Sequence, residues 1–120
     1  MGGLPTLQLL TELPDVSAFV GIYPVCDLST VAPKFEDVAR AWPKGWDGKL
    51  SPVDMSGTAG KRMMFFASPT DTVVPKASNT DACAAAAKAA GADVTVVHVA
   101  GEHGDQSAFR PDVVVEFLKG

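Results

Sequence analysis

Cysteine is scarce in this chain: Cys26 and Cys83 are the only two in 120 residues. Two cysteines in an alanine-rich sequence do not make the disulfide framework of a small secreted domain. Both sit inside apolar stretches, which suits small buried side chains. Long apolar runs are missing too. None approaches the roughly 20 residues that a membrane-spanning helix needs, and the start has neither the basic segment nor the apolar run of a secretory leader. The ten lysines and arginines are scattered, the formal net charge is −4 and the pI is about 4.9. A clustered basic face for nucleic acid is therefore absent. Glu102, His103 and Asp105 lie close together, but their spacing matches no zinc signature and there is no second cluster. The expectation is a protein without metal or cofactor, without nucleic-acid or membrane partners, in a reducing compartment, the cytoplasm.

What is present is a sequence meant to fold, with 47% hydrophobic residues. Its length suits at most one domain and is short for a complete α/β domain. Leu4, Leu7, Leu10 and Leu9, Leu13 recur at helical spacing over Gly3 to Leu13, and Pro14 ends that helix. Val16 to Tyr23 is a short apolar run of the kind that forms a buried parallel strand. Residues 26–61 hold Pro33, Pro43 and Pro52 and no sustained period. They are expected to make an irregular excursion, with a short helix near Phe35 to Ala41. Trp42 and Trp46 pack that excursion down or, alternatively, face substrate. Arg62 to Ser68 is a second apolar strand. Ser78 to Ala90 is an alanine-rich helix stopped by Gly91. Asp93 to Val99 is a third strand, rich in Val and Thr. Arg110 to Lys119 closes the chain as a helix with Val113, Val114, Phe117 and Leu118 on one stripe. Strands alternating with helices predict an α/β protein: a three-layer α/β/α arrangement on a parallel sheet.

In such sheets chemistry gathers beyond the carboxyl ends of the strands. Asp71 follows the second strand and His103 follows the third, in the loop Ala100-Gly101-Glu102-His103-Gly104-Asp105. If those strands are neighbours, the carboxylate can accept a hydrogen bond from one imidazole nitrogen and leave the other free as a base. The plainer reading of Asp71 is a turn residue. His98 falls inside the third strand and is expected to be a half-buried sheet residue.

Phe65-Phe66-Ala67-Ser68-Pro69-Thr70-Asp71-Thr72-Val73-Val74-Pro75 resembles the acid segment of the α/β-hydrolase superfamily, and Val94 to Gly104 resembles the strand and loop that deliver that family's histidine. The ending Val113-Val114-Val115-Glu116-Phe117-Leu118 is similar to its terminal helix. The closest flavour is the dienelactone-hydrolase and prolyl-oligopeptidase-like esterases and peptidases. The resemblance implies the C-terminal half of an α/β-hydrolase domain over residues 1–120, with Asp71 and His103 as triad partners. Asp71 before His103 also agrees with the family's chain order.

The family's nucleophile elbow, G-x-S-x-G, occurs nowhere in the chain. Ser17, Ser29, Ser51, Ser56, Ser68, Ser78 and Ser107 lie in the wrong context, and Cys26 lacks the flanking glycines. Many members follow their serine with Met-Gly-Gly, and this chain starts Met1-Gly2-Gly3. The resemblance thus places the serine one residue before Met1 and makes the Met1 backbone nitrogen an oxyanion-hole candidate. It implies hydrolysis of ester or amide bonds by acyl transfer, with the 120 residues alone a truncated and inactive fragment. Such a fragment is expected to self-associate or to need a complementing N-terminal half, because the edge of its first strand is open. The alternatives are a hydrolase-like binding or interaction module without activity, and an unrelated small α/β protein such as a flavodoxin-like domain. The last is weakened because no phosphate-binding glycine loop follows a strand.

Overall fold

The computed structural model describes residues 3–27, 30, 31 and 54–120. The expected helix near Phe35, the packing of Trp42 and Trp46 and the oxyanion candidate Met1 lie outside the described residues. Among the described residues six regular elements follow one another: α1 (Gly3–Glu12), β1 (Ala18–Ile22), β2 (Arg62–Ala67), α2 (Ala82–Ala90), β3 (Asp93–His98) and α3 (Pro111–Lys119). Short 3-10 turns at Ser56–Thr58 and Gln106–Ala108 and a π-helical turn at Ala77–Asp81 join them.

The three strands form one parallel sheet in the order β1-β2-β3. Phe19 is opposite Met63, and Met63 is opposite Val94. β2 is central, and Met63 through Ala67 are all buried. A parallel strand covered on both faces needs that unbroken apolar run. Its side chains alternate between two cores. Met63 and Phe65 join Leu7, Leu10, Phe19, Cys83 and Ala87 beneath α1 and α2, whereas Met64 and Phe66 join Val97, Val113, Val114 and Phe117 beneath α3. The result is the expected three-layer α/β/α arrangement. Phe65 and Phe66 are both fully buried, each contributing about 1.5–3 kcal/mol by leaving water. Phe65 also meets Phe19 with tilted rings 5.4 Å apart.

The helix ends are held by side chains and by glycine. Lys61 Nζ donates to the carbonyls of Leu10 and Leu13 at the end of α1. Arg62 donates to the Phe117 carbonyl and lies over that ring. Gly91 closes α2 in the left-handed region at φ 99°, as expected of a glycine just past a helix. The two cysteines are buried and unpaired.

Several apolar residues lie further from the core than their periodicity predicts. Leu9 is exposed on α1, Leu13 is exposed just past its end, and Leu118 is exposed on α3. Ile22 of β1 is exposed as well. The described elements put one helix, α3, on this second face, and it reaches Val20, Met64 and Val97 but leaves the end of β1 uncovered. β1 and β3 are thus less enclosed than β2, and His98, expected to be half-buried, is exposed at the end of the edge strand β3. Among the described residues no helix is long and apolar enough to cross a membrane.

Candidate active site

Because β2 and β3 are adjacent and parallel, the loops that follow them open on the same edge of the sheet. The β2 loop begins with a turn in which Asp71 N–H donates to the Ser68 carbonyl at 3.2 Å. This turn sends the Asp71 side chain inward, to 2% exposure. One carboxylate oxygen, Oδ1, accepts the backbone N–H of Val73 and of Val74, each at 2.9 Å. The other, Oδ2, lies 2.8 Å from His103 Nδ1. The sequence pairing of Asp71 with His103 is therefore met in space.

The direction of that bond follows from the partners. A carboxylate only accepts, so Nδ1 carries the proton, and in the neutral imidazole the lone pair then lies on Nε2. The imidazole is 34% exposed. One of its nitrogens is thus held by a buried carboxylate while about a third of the ring stays exposed.

The His103 loop is tied to the Asp71 loop at further points. Ser68 Oγ and Thr70 Oγ1 both donate to the Gly101 carbonyl, at 2.6 and 2.8 Å. Thr72 Oγ1 donates to Glu102 at 2.9 Å. Gly101 has φ 93°, and a Cβ there would stand 2.5 Å from Asp105 Oδ2. Only glycine combines that backbone with that closeness. Asp105 Oδ1 accepts the Ser107 N–H at 2.9 Å, which holds the Asp105 carboxyl below the usual carboxylate range. Glu102 and Asp105 are thus occupied in fixing the loop. Among the described residues no group of His, Cys, Asp and Glu is arranged to hold a metal ion.

Two residues were not singled out in the sequence. Tyr23, read there as part of the first strand, stands just beyond it with φ 49°, and its ring centre lies 5.1 Å from that of His103. The signal was available: a tyrosine before a proline at the carboxyl end of a parallel strand obeys the rule that picks out Asp71 and His103. Asn79 is fully buried. Its Oδ1 accepts from the backbone of Cys26 and Asp27, and its Nδ2 donates to Thr30 Oγ1 and to the Pro75 carbonyl. It fastens the segment after β1 to the turn that follows Asp71. No sequence pattern announces it.

No family model matches the chain, and no curated protein matches it significantly. Solved structures do. The chain is similar to the acylaminoacyl peptidase of Pyrococcus horikoshii, with a TM-score of 0.74 and 18% identity, over 98% of this chain and 22% of that one. It is likewise similar to the Pyrococcus furiosus esterase Pf2001, with a TM-score of 0.68 and 19% identity, over 99% of this chain and 50% of that one. An acylaminoacyl peptidase in complex with Z-Gly-Gly-Phe-chloromethyl ketone gives 0.72 and 17%. These proteins are α/β-hydrolases, so the chain has the fold of part of an α/β-hydrolase domain. It spans about half the length of the esterase and about a fifth of the peptidase.

Proposed function

We propose that Asp71 and His103 are the acid and the base of a serine-hydrolase site that cleaves ester or amide bonds by acyl transfer. The supporting observation is the 2.8 Å bond between His103 Nδ1 and a buried carboxylate at the ends of adjacent parallel strands. The fold likeness to a peptidase and an esterase agrees with this chemistry. In the proposed reaction Nε2 takes the proton of a serine hydroxyl as its oxygen attacks the carbonyl carbon, and returns that proton to the leaving group. Asp71 keeps the ring aimed and stabilises its charged form. The chain contains no G-x-S-x-G, so the serine comes from outside these 120 residues.

The same reading gives a partner. β1 pairs with β2 on one side only among the described residues. A groove of about 310 Å³, lined by Gly3, Thr6, Phe19, Gly21, Tyr23 and Pro24 among others, runs along it. A strand that carries the serine would pair at this edge. Alternatively, copies of the chain associate through it.

The test is hydrolysis of a short-chain p-nitrophenyl ester and of a peptide anilide by the intact polypeptide or complex that contains these residues. His103→Ala is expected to reduce kcat by a factor on the order of 10⁴ or more. Hydrolysis that survives the substitution would remove His103 from the mechanism. A protein that shows no hydrolysis at all, and binds acyl compounds equally with and without His103, would favour a binding module.

A further inference from the structure

The His103 loop is anchored from two strands. Its ties to Ser68, Thr70, Asp71 and Thr72 all come from the end of β2. Tyr23 supplies an anchor from the end of β1. The Tyr23 N–H donates to the Phe66 carbonyl at 2.9 Å, so the strand ladder runs up to this residue. Its backbone then turns into the left-handed region at φ 49°, where a bulky side chain is uncommon. The side chain is 6% exposed. Its ring meets the imidazole at 5.1 Å between centres with a tilt of 49°, within the favourable range for ring pairs. Its hydroxyl donates to the Asp105 carbonyl at 3.0 Å. Burial raises the Tyr23 phenol above its ordinary value, which keeps that hydroxyl a donor. Strained backbone persists where the surroundings demand it, often beside a functional group.

We propose that Tyr23 is the positioning residue for His103: the ring confines one face of the imidazole while the hydroxyl pins the loop that carries it. This rests on the reading of Asp71 and His103 as an acid–base pair. It adds that the aim of Nε2 depends on the first strand as well as on Asp71. Phenylalanine would fill the same space but would leave the Asp105 carbonyl with only the Ala108 N–H, at 3.3 Å and from within the same loop.

The test uses the intact ¹⁵N-labelled protein that contains these 120 residues; they hold two histidines, so that His98 serves as an internal reference. The readout is the Nδ1–H signal of His103 and its exchange with water. Tyr23→Phe removes only the hydroxyl. It is expected to speed exchange about fivefold, the equilibrium worth of one neutral hydrogen bond, with His98 unchanged. Tyr23→Asn, which tolerates the left-handed backbone, also removes the ring and is expected to give a larger change. If neither variant alters the signal, Tyr23 does not position the ring. If only Tyr23→Asn alters it, the role of the hydroxyl is overturned. If the unaltered protein shows no protected Nδ1–H at all, the acid–base pair itself fails, and that outcome is separate from the other two. Should Tyr23→Asn not fold, Tyr23→Phe alone still decides the role of the hydroxyl.

Discussion

Replacing Asp71 by asparagine removes the charge and leaves the shape, and the structure dictates what the imidazole does next. The side-chain oxygen has two places to go. If it stays at the Oδ1 position it keeps both backbone donors, Val73 and Val74 at 2.9 Å, worth about 2 kcal/mol together. The new amide NH₂ then faces His103 Nδ1 across 2.8 Å. Two N–H groups cannot face each other there, so Nδ1 gives up its proton and accepts. If the amide flips instead, the NH₂ meets the two backbone donors and both bonds are lost. The first arrangement wins. His103 then carries its proton on Nε2, the nitrogen that the proposed reaction needs unprotonated. The expected catalytic loss is about 10⁴ in kcat, the size seen when a triad aspartate becomes asparagine and the tautomer is wrong. Losing the charge-assisted bond also costs about 1.5–3 kcal/mol of stability. Long-range ¹H–¹⁵N correlation spectra of the two histidines distinguish the tautomers directly. An Asp71→Asn protein that keeps the proton of His103 on Nδ1 would refute this reasoning.

Asn79→Ala removes the acceptor of the buried Cys26 amide, and at about 1–3 kcal/mol for such a group it is expected to lower the urea-unfolding free energy by roughly 2 kcal/mol. A loss under about 1 kcal/mol would mean that water or another group replaces it. Contact with Cys83 and burial push the Cys26 thiol far up, so a disulfide reagent such as DTNB should modify neither cysteine in the folded protein and both in urea; rapid labelling without denaturant would contradict the burial. Gly101→Ala forces a Cβ toward Asp105 at a φ of 93° and is expected to lower Tm and to weaken the protected His103 Nδ1–H signal. An unchanged signal would show that the loop can yield. Asp105 has its folded pKa lowered by the Ser107 N–H. Its contribution is therefore present above the unfolded carboxylate value of about 3.9 and is lost as pH falls through the lower folded value. The Ser107 amide is expected to lose protection from hydrogen exchange over that acid range and to stay protected above it.

Much of the architecture was legible from local pattern. The run Met63 to Ala67, apolar at every position, marks a strand covered on both faces, because no half-exposed strand tolerates it. The alanine-rich stretch ending at Gly91 marks a helix and its stop. The strand-end rule singled out Asp71 and His103. The outer limits were less legible, since periodicity shows which residues share a face but not what covers that face. Leu118 keeps the stripe of α3 yet lies exposed, and the same holds for Leu9 on α1 and for Leu13 just past its end. The stretch before α2, Ala77–Asp81, is a π-helical turn and not the regular helix expected from Ser78 onward, with the Asn79 side chain bonded inward from it.

By itself the sequence determined the class of fold, the order of the described elements and the position of Asp71 and His103 just beyond two strand ends, because these depend on periodicity and on where a residue falls relative to a strand. The tertiary structure alone decided that β2 and β3 are neighbours, and hence that the two side chains meet at bonding distance. It also decided which nitrogen of His103 is held, what ties its loop down, and that Tyr23 reaches it from β1. Those facts depend on groups far apart in the chain being brought together, and no local spacing encodes such a meeting.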